Sequence, residues 1–274
     1  MIEHRTGWVR FAAVAGIVAI AAGSLTGCGV DDGSTAGPVA ACAQGFRVVS
    51  TIPRDDPAFT QGLVFVGDRL FESTGRYGES ALRELDPDTL ATIRSEPLPD
   101  ELFGEGLAHH DGRLVQLTWR EQRALVWGID TWRPDQVFTY VGEGWGLTTD
   151  GDAFVQSDGS AVLRWRDTAT FDVERELEVH DATGPITQLN ELELVDGMVF
   201  ANVFGTATIV VVDPADGRVV ASLDLSSLVP ELADDDPNAV LNGIALVPGT
   251  GELLVTGKHW PAAHRLALDT PCWP

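Results

Sequence analysis

One short phrase recurs five times along this chain, and it limits the folds that the sequence can adopt. The phrase is a polar or aromatic residue followed by Gly-Leu or by a close variant of that pair. Successive copies lie 44, 40, 45 and 52 residues apart: Gln61-Gly62-Leu63, Glu105-Gly106-Leu107, Trp145-Gly146-Leu147, Asn190-Glu191-Leu192 and Asn242-Gly243-Ile244. Internal similarity at a period of about 40 to 50 residues is typical of propellers and other repeat folds.

Each copy of the phrase begins the same series of strand-like runs. Two alternating runs are joined by an Asp-Gly or Gly-Asp turn, as in residues 63–74 and 192–204, which is a strong hairpin signal. A third run ends at an Asp beside a turn-forming residue, and a fourth, more polar run follows. Four strands per repeat over residues 46–270 predict an all-β, five-bladed β-propeller with four antiparallel strands in each blade. An irregular β-sandwich is the alternative, but sandwiches rarely show so regular a repeat. We expect one short helical turn within residues 228–240.

The first 27 residues have the features of an export signal. Basic residues precede an apolar stretch from Phe11 to Leu25, and Leu25-Thr26-Gly27-Cys28 follows. The stretch is short for a transmembrane helix. The tetrad resembles a bacterial lipobox, so we expect residues 1–27 to be a lipoprotein signal peptide and Cys28 to be lipidated. The alternatives are an ordinary signal peptide with an incidental Cys and an uncleaved anchor.

The segment that follows Cys28 has the composition of a linker. Residues 29–41 are mostly small or polar, without an aromatic residue. Such a segment cannot bury enough apolar surface to order itself. We therefore expect residues 28–43 to be a flexible tether from the lipidated Cys28. Residues 44–274 would then form the folded domain, exported and anchored by lipid at the extracytoplasmic face of the cell membrane.

The chain is strongly acidic, with 41 acidic against 18 basic residues. A phosphate-binding face needs clustered Lys and Arg, so this balance argues against a nucleic-acid partner. It also disfavours attraction to anionic lipid surfaces, so attachment to the membrane would depend on the lipid anchor. We expect the domain to be a monomer.

Two further cysteines, Cys42 and Cys272, lie at the two ends of the predicted domain. An even pair in an exported domain favours a disulfide, which would join the first strand to the last. Closing a loop of this length would stabilise the fold by roughly 4–5 kcal/mol in the chain-entropy model. Two free, buried thiols are the alternative.

The repeat places unlike residues at equivalent positions around one axis. In a propeller the first strand of each blade lines the central channel, so the residues before the Gly-Leu pairs form one ring: Gln61, Glu105, Trp145, Asn190 and Asn242. A ring that holds amides, a carboxylate and an indole favours a converging site over simple capping of strand ends. A second ring, near the end of each second strand, would contain Thr74, Trp119, Asp158, Phe204 and Thr256, with Lys258 just beyond.

Ten phrases, in order through all five repeats, carry a resemblance to a known family. They are Phe59-Thr60-Gln61-Gly62-Leu63, Glu72-Ser73-Thr74-Gly75, Phe103-Gly104-Glu105-Gly106-Leu107, Leu117-Thr118-Trp119, Gly144-Trp145-Gly146-Leu147, Ser157-Asp158-Gly159-Ser160, Asn190-Glu191-Leu192-Glu193, Ala201-Asn202-Val203, Leu241-Asn242-Gly243-Ile244 and Thr256-Gly257-Lys258-His259-Trp260-Pro261. The set resembles the plant and bacterial (papaya-type) glutaminyl-peptide cyclotransferases. The resemblance implies a five-bladed propeller enzyme that converts the N-terminal Gln of peptides or proteins to pyroglutamate and releases ammonia.

The same resemblance assigns the site residues. The family's catalytic glutamate falls on Glu105. Its polar site groups fall on Gln61, Asn190 and Lys258, and its aromatic site residues fall on Phe59, Phe103, Trp119 and Trp145. The substrate-binding set also takes in Asn242 and Phe204. Phe204 stands where the family usually holds Trp, so it keeps the apolar wall but lacks the indole N–H donor.

Cyclisation requires a neutral α-amine, donors for the tetrahedral oxyanion and a proton for the leaving nitrogen. One carboxylate can take the amine proton and return it to the leaving group. We assign this role to Glu105, because burial beside Trp119 and Trp145 would raise its pKa. The expected donors are Gln61, Asn190 and Lys258. From the sequence alone, a position on the surface is an equally open alternative for Lys258. The reaction requires no metal ion, and we expect no cofactor.

Two other functions remain open from the sequence. A metal-dependent propeller lactonase or sugar-acid hydrolase would hold its ion with channel carboxylates and amides, and Glu105, Asn190, Asn242 and Asp158 could imitate that set. A non-enzymatic surface propeller that binds a protein partner would not need Glu105. The His residues show no metal-ligand spacing, and residues 234–236, a run of three Asp, lack the pattern of a calcium loop.

Overall fold

The structure is a computed structural model and describes residues 41–273. The predicted signal peptide (residues 1–27), the predicted lipidation site Cys28 and the predicted tether up to residue 40 lie outside the described residues. Within the described part of the chain, no helix has the length and apolar character needed to cross a membrane.

Strands make up most of the described residues. Two N-terminal strands come first, β1 (Cys42–Ala43) and β2 (Phe46–Pro53). Blade 1 contains β3 (Thr60–Val66), β4 (Arg69–Thr74), β5 (Ala81–Leu85) and β6 (Thr92–Pro97). Blade 2 contains β7 (Gly104–His110), β8 (Arg113–Thr118), β9 (Arg123–Gly128) and β10 (Pro134–Thr139). Blade 3 contains β11 (Leu147–Thr149), β12 (Ala153–Gln156), β13 (Val162–Asp167) and β14 (Val173–Glu178).

The remaining elements complete two more blades. A short hairpin, β15 (His180–Asp181) and β16 (Gly184–Pro185), precedes blade 4. Blade 4 contains β17 (Leu189–Val195), β18 (Met198–Val203), β19 (Thr208–Val212) and β20 (Val219–Asp224). Two 3-10 helices, Ser226–Leu228 and Glu231–Asp234, occupy the connection to blade 5, where one helical turn was expected. Blade 5 contains β21 (Leu241–Leu246), β22 (Leu253–Gly257) and β23 (Ala262–Leu268).

The five sheets are arranged as the repeat predicts. Consecutive strands of blades 1 to 4 pair antiparallel, and the first strand of each blade contacts the first strands of its two neighbours in a closed ring. The apolar core is divided among the five interfaces between adjacent blades. Phe71 and Leu114, for example, pack between blades 1 and 2, and Phe200 and Val255 pack between blades 4 and 5. The predicted five-bladed propeller is confirmed.

Blade 5 takes its fourth strand from the other end of the domain. Strand β2 pairs antiparallel with β23, from Phe46 opposite Leu268 to Pro53 opposite Ala262. Strand β1 adds a parallel fifth strand to blade 4, where Cys42 lies opposite Ala221. Two expectations are corrected here. The fifth repeat supplies only three strands of its own blade, since β2 provides the fourth. The tether was predicted to extend to residue 43, but Cys42–Ala43 form a strand because their backbone pairs with β20.

A disulfide joins Cys42 to Cys272 across 230 residues of sequence. The predicted pairing is therefore confirmed. Because Cys42 lies in β1 and Cys272 follows β23, the bond fastens the two ends of the described domain to each other beside the sheet that β2 and β23 share.

The repeated phrase coincides with a β-bulge in the inner strand of four blades. The irregular register lies between Thr60 and Gly62, Gly104 and Leu107, Leu189 and Leu192, and Leu241 and Ile244. Bulges re-aim side chains and accompany a close approach of backbones. A Cβ atom at Gly62 would lie 2.5 Å from the backbone nitrogen of Leu107, so the neighbouring inner strand excludes any larger residue there.

Blade 4 replaces that glycine with Glu191. Its carboxylate accepts hydrogen bonds from the backbone N–H groups of Leu63 (3.3 Å) and Ile244 (2.8 Å), in blades 1 and 5. Burial is the main cause that raises the pKa of Glu191 well above its ordinary value. Glu191 therefore links the inner strands of blades 1, 4 and 5 by hydrogen bonds, which explains why the fourth copy of the phrase differs from the others.

Candidate active site

The bulged ends of the inner strands surround a cavity of about 300 Å³. It is lined by Phe59, Gln61, Phe103, Glu105, Trp119, Trp145, Asn190, Phe204 and Lys258. These are nine of the ten residues predicted for catalysis or substrate binding. A mostly aromatic wall with a few convergent polar groups is typical of a site for a small ligand.

Glu105 lies in the bulge of β7 and is 5% exposed. Gln61 Nε2 donates a hydrogen bond to Glu105 Oε1 at 2.9 Å. Burial raises the pKa of the Glu105 carboxyl well above its ordinary value, and the Lys258 ammonium opposes this shift. The negative charges of Glu143 and Glu121 raise the pKa further. A carboxyl group with a raised pKa is suited to accept a proton from an amine and to return it.

Asn242 does not line the cavity, so its predicted role in substrate binding is corrected. The side chain is fully buried in the bulge of β21. Its Nδ2 donates to the Gln61 side-chain oxygen at 3.1 Å and to the Thr60 carbonyl at 2.9 Å. Because Asn242 donates to the oxygen of the Gln61 amide, the nitrogen of that amide is turned toward Glu105. Asn242 therefore positions Gln61.

Lys258 is a buried cation between two aromatic rings. Lys258 is the residue directly after β22 and is 4% exposed. Its Nζ lies 4.9 Å from the ring centroids of both Phe59 and Phe204. Among the described side chains, none forms a salt bridge with this ammonium, so its N–H donors are open to the cavity. Burial lowers the pKa of Lys258 from its ordinary value to about 8, against the opposing effect of Glu105. A cationic donor in an apolar site is a strong one.

The aromatic side chains pack against one another around the cavity. Phe103 lies between Phe59 and Trp119, with ring centroids 6.0 and 5.4 Å away, and Trp145 contacts Phe204 edge-on at 5.7 Å. The Phe59–Phe103 and Trp145–Phe204 contacts are edge-to-face, an arrangement that stabilises an aromatic pair by about 0.5–1.5 kcal/mol beyond its area burial. The walls are therefore held in place before any ligand enters.

Glu143 is a site residue that the sequence reasoning missed. Its Oε2 accepts hydrogen bonds from Trp119 Nε1 at 2.8 Å and from Trp145 Nε1 at 3.0 Å. Glu143 occupies the repeat position that Phe59 and Phe103 occupy in blades 1 and 2. A carboxylate at a position held by aromatic residues in the preceding repeats is the signal that could have identified it.

Three members of the second predicted ring, Thr74, Asp158 and Thr256, make structural contacts and do not line the cavity. Thr74 and Thr256 hydrogen-bond to backbone groups of their own blades. Asp158 forms a salt bridge with Arg164 and accepts a hydrogen bond from Ser160. These side chains are occupied by structural contacts, and only Trp119, Phe204 and Lys258 of the second group line the cavity.

The donor set of a metal-dependent hydrolase does not converge. Glu105 and Asn190 line the cavity, but Asp158 pairs with Arg164 and Asn242 bonds to the Gln61 amide. Among the described residues, no group of three or more His, Cys, Asp or Glu side chains is arranged to hold a metal ion.

The sequence matches a family model described as glutamine cyclotransferase over residues 19–268. The chain belongs to the glutamine cyclotransferase family. It is 36% identical over 226 residues to a glutaminyl-peptide cyclotransferase of Arabidopsis thaliana, covering 81% of this chain and 71% of that protein. It is also similar to the crystal structure of Myxococcus xanthus glutaminyl cyclase, with a TM-score of 0.78 at 35% identity, covering 84% of this chain and 98% of that one. The family resemblance drawn from the sequence is confirmed.

One feature of this glutamine cyclotransferase departs from the pattern expected of its family. Phe204 stands where the resemblance predicts Trp, and it is 36% exposed at the rim of the cavity. Its ring retains the contact with Trp145 and lies beside the Lys258 ammonium. The substitution therefore keeps the apolar wall and the cation–π contact, but supplies no N–H donor.

Proposed function

We propose that this enzyme converts the N-terminal glutamine of peptides or proteins to pyroglutamate and releases ammonia. The observation that carries the proposal is that the Glu105 carboxyl group and the Lys258 ammonium open into one aromatic-walled cavity. A member of the glutamine cyclotransferase family with this arrangement has an acid–base group and a cationic donor within reach of the same small substrate.

The aromatic walls select the conformer that can react. Cyclisation joins two groups of a single residue, so the substrate supplies proximity, but the side chain must fold back on the α-amine. Phe103, Trp119 and Trp145 enclose the methylene groups of that folded side chain. The remainder of the peptide leaves through the open side of the cavity.

Glu105 moves the protons. The neutral α-nitrogen attacks the carbonyl carbon of the side-chain amide (Cδ), a C–N bond forms, and the bond from that carbon to the amide nitrogen breaks. The attacking nitrogen loses one proton and the leaving nitrogen gains one, so ammonia departs and Glu105 returns to its initial protonation state. Because Glu105 Oε1 accepts a hydrogen bond from Gln61, its other oxygen carries the proton exchanged with the substrate.

Lys258 and Asn190 stabilise the oxyanion that forms on the γ-carbonyl. The Lys258 ammonium supplies the charge, and the amide of Asn190 supplies a neutral donor. The Asn190 side-chain oxygen is buried and has no partner among the described residues, so it is also available to accept an N–H of the α-amine. These contacts would become stronger as charge develops in the transition state.

The proposal is tested by measuring ammonia release from a Gln-initiated dipeptide, with and without EDTA. We expect turnover that EDTA does not reduce, since no step in this mechanism uses a metal. The same dipeptide with an acetylated α-amine is the matched control and should release no ammonia. Loss of turnover in EDTA would favour the metal-dependent hydrolase, and no turnover in either buffer would favour the binding propeller.

We further propose that the protein is exported and held at the extracytoplasmic face by a lipid on Cys28. The disulfide between Cys42 and Cys272 supports export, because such bonds persist in oxidising compartments. In a bacterial host, the parent should fractionate with the membrane and Cys28→Ser with the soluble extracytoplasmic proteins. A parent protein that already fractionates as soluble would contradict lipidation.

A further inference from the structure

One carboxylate holds two walls of the cavity that belong to different blades. Trp119 follows β8 in blade 2, and Trp145 precedes β11 in blade 3. Both indole N–H groups donate to the same oxygen, Glu143 Oε2, at 2.8 and 3.0 Å. Glu143 does not itself line the cavity. The shared acceptor therefore ties together two rings that face the cavity.

Arg120 completes this arrangement. Its Nε donates to the second oxygen, Glu143 Oε1, at 3.0 Å, and its guanidinium lies 3.6 Å from the centroid of the Trp119 ring. The Glu143 backbone carbonyl accepts a hydrogen bond from Gln156 Nε2 at 3.3 Å, which secures the loop. A cation–π contact at an exposed position such as that of Arg120 contributes about 0.5–1 kcal/mol, so this residue supports the arrangement without dominating it.

Glu143 remains ionised where it acts. Partial burial opposes ionisation, but hydrogen bonds from Trp145, Arg120 and Trp119 outweigh it and lower the pKa of the carboxyl below its ordinary value. Both oxygens of this carboxylate accept hydrogen bonds, Oε2 from the two indoles and Oε1 from Arg120, which limits its freedom to turn. It therefore defines the direction of both indole planes.

We propose that Glu143 is a positioning residue, whose carboxylate sets the two indole walls at the spacing that holds glutamine in its cyclising conformer. The inference rests on the proposed function, since it concerns how that substrate is held. It also means that both indole N–H groups are already occupied, so Trp119 and Trp145 contact substrate through their ring faces. Polar contacts with the substrate are left to Glu105, Lys258 and Asn190.

The test compares Glu143→Ala with Glu143→Gln in the ammonia-release assay. Alanine leaves both indoles without an acceptor, and displacement of a positioning group by about 1 Å can cost about 100-fold in rate. We expect Glu143→Ala to lower kcat/KM by about 10- to 100-fold, mostly in kcat, because the rings still offer apolar surface but no longer select the folded conformer. Glu143→Gln keeps an acceptor oxygen and should recover most of the loss.

Asp150→Ala provides the matched control. Asp150 accepts a hydrogen bond from the indole of Trp165 at 2.9 Å in blade 3, outside the cavity. Loss of this contact should lower the thermal unfolding midpoint without changing kcat/KM. Near-UV circular dichroism would confirm that each variant retains packed indoles elsewhere in the fold.

Two outcomes would overturn the inference. One is a folded Glu143→Ala variant whose kcat and KM both lie within twofold of the parent values. The other is an equal loss in Glu143→Gln and Glu143→Ala, which would assign the effect to charge and not to positioning of the indoles. Absence of ammonia release by the parent protein would instead count against the proposed function, so the two failures are distinguishable.

Discussion

Replacing Glu105 by Gln is expected to lower kcat for cyclisation by about 10²- to 10⁴-fold, the range typical of a lost general acid–base group. Glutamine has nearly the same shape, and its oxygen can still accept the hydrogen bond that Gln61 Nε2 donates at 2.9 Å. It cannot take a proton from the α-amine or deliver one to the leaving nitrogen. The measurement is the steady-state rate of ammonia release from a Gln-initiated dipeptide.

Three controls make the Glu105 result specific. KM should change little in Glu105→Gln, because the aromatic walls and Lys258 are untouched. The thermal unfolding midpoint should not fall, since a neutral amide costs less to bury than a carboxylate. Glu105→Asp keeps the carboxyl group but withdraws it from the substrate, so its rate should lie between those of the parent and Glu105→Gln. A kcat for Glu105→Gln within tenfold of the parent value would remove Glu105 from the proton transfers.

Replacing Lys258 by Met should lower kcat/KM by about 10²- to 10³-fold, as expected for the loss of a principal oxyanion donor. Methionine keeps an unbranched apolar side chain between the rings of Phe59 and Phe204, which lie on either side of the ammonium. The loss would therefore report on the charge and its N–H donors more than on packing. Unchanged kcat/KM in a folded Lys258→Met variant would contradict the role assigned to this residue.

The pH dependence separates the charge of Lys258 from its shape. Because burial lowers the pKa of Lys258 to about 8, the ammonium loses its proton as the pH rises through that value. The parent rate should therefore fall above about pH 8, although the substrate amine becomes more reactive in the same range. Arginine stays charged, so Lys258→Arg should be slower than the parent but should lose the alkaline fall. Persistence of that fall in Lys258→Arg would assign it to another group.

The blades were predictable because each one repeats the same physical requirement. Inner strands approach so closely that Gly62, Gly106 and Gly146 leave no room for a side chain, and the residue before each glycine faces the cavity or supports it. A constraint repeated at a fixed period leaves a pattern that a single sequence can reveal. The ring that brings Gln61 and Glu105 together followed from that register.

Features that depend on distant pairing left no such pattern. Strand β2 joins β23 through backbone hydrogen bonds, which are largely indifferent to side-chain identity. Asn242 was predicted to line the cavity, but its side-chain amide bonds to Gln61 and Thr60 instead. No sequence signal predicts the direction in which that amide points. Glu143 was missed for a related reason, since its importance lies in two hydrogen bonds made by tryptophans already assigned as walls.

The ring of blades closes where β2 pairs with β23 in blade 5, and the candidate active site takes residues from both sides of this closure. Gln61 enters from blade 1 and Lys258 from blade 5, and the Asn242–Gln61 hydrogen bond crosses between them. We expect contacts between such distant parts of the sequence to form late in folding, because closing the long intervening loop costs conformational entropy. A molecule with an open ring would thus hold much of its apolar core and still be inactive. Recovery of activity during refolding would therefore report ring closure itself, more selectively than spectroscopic signals of strand content.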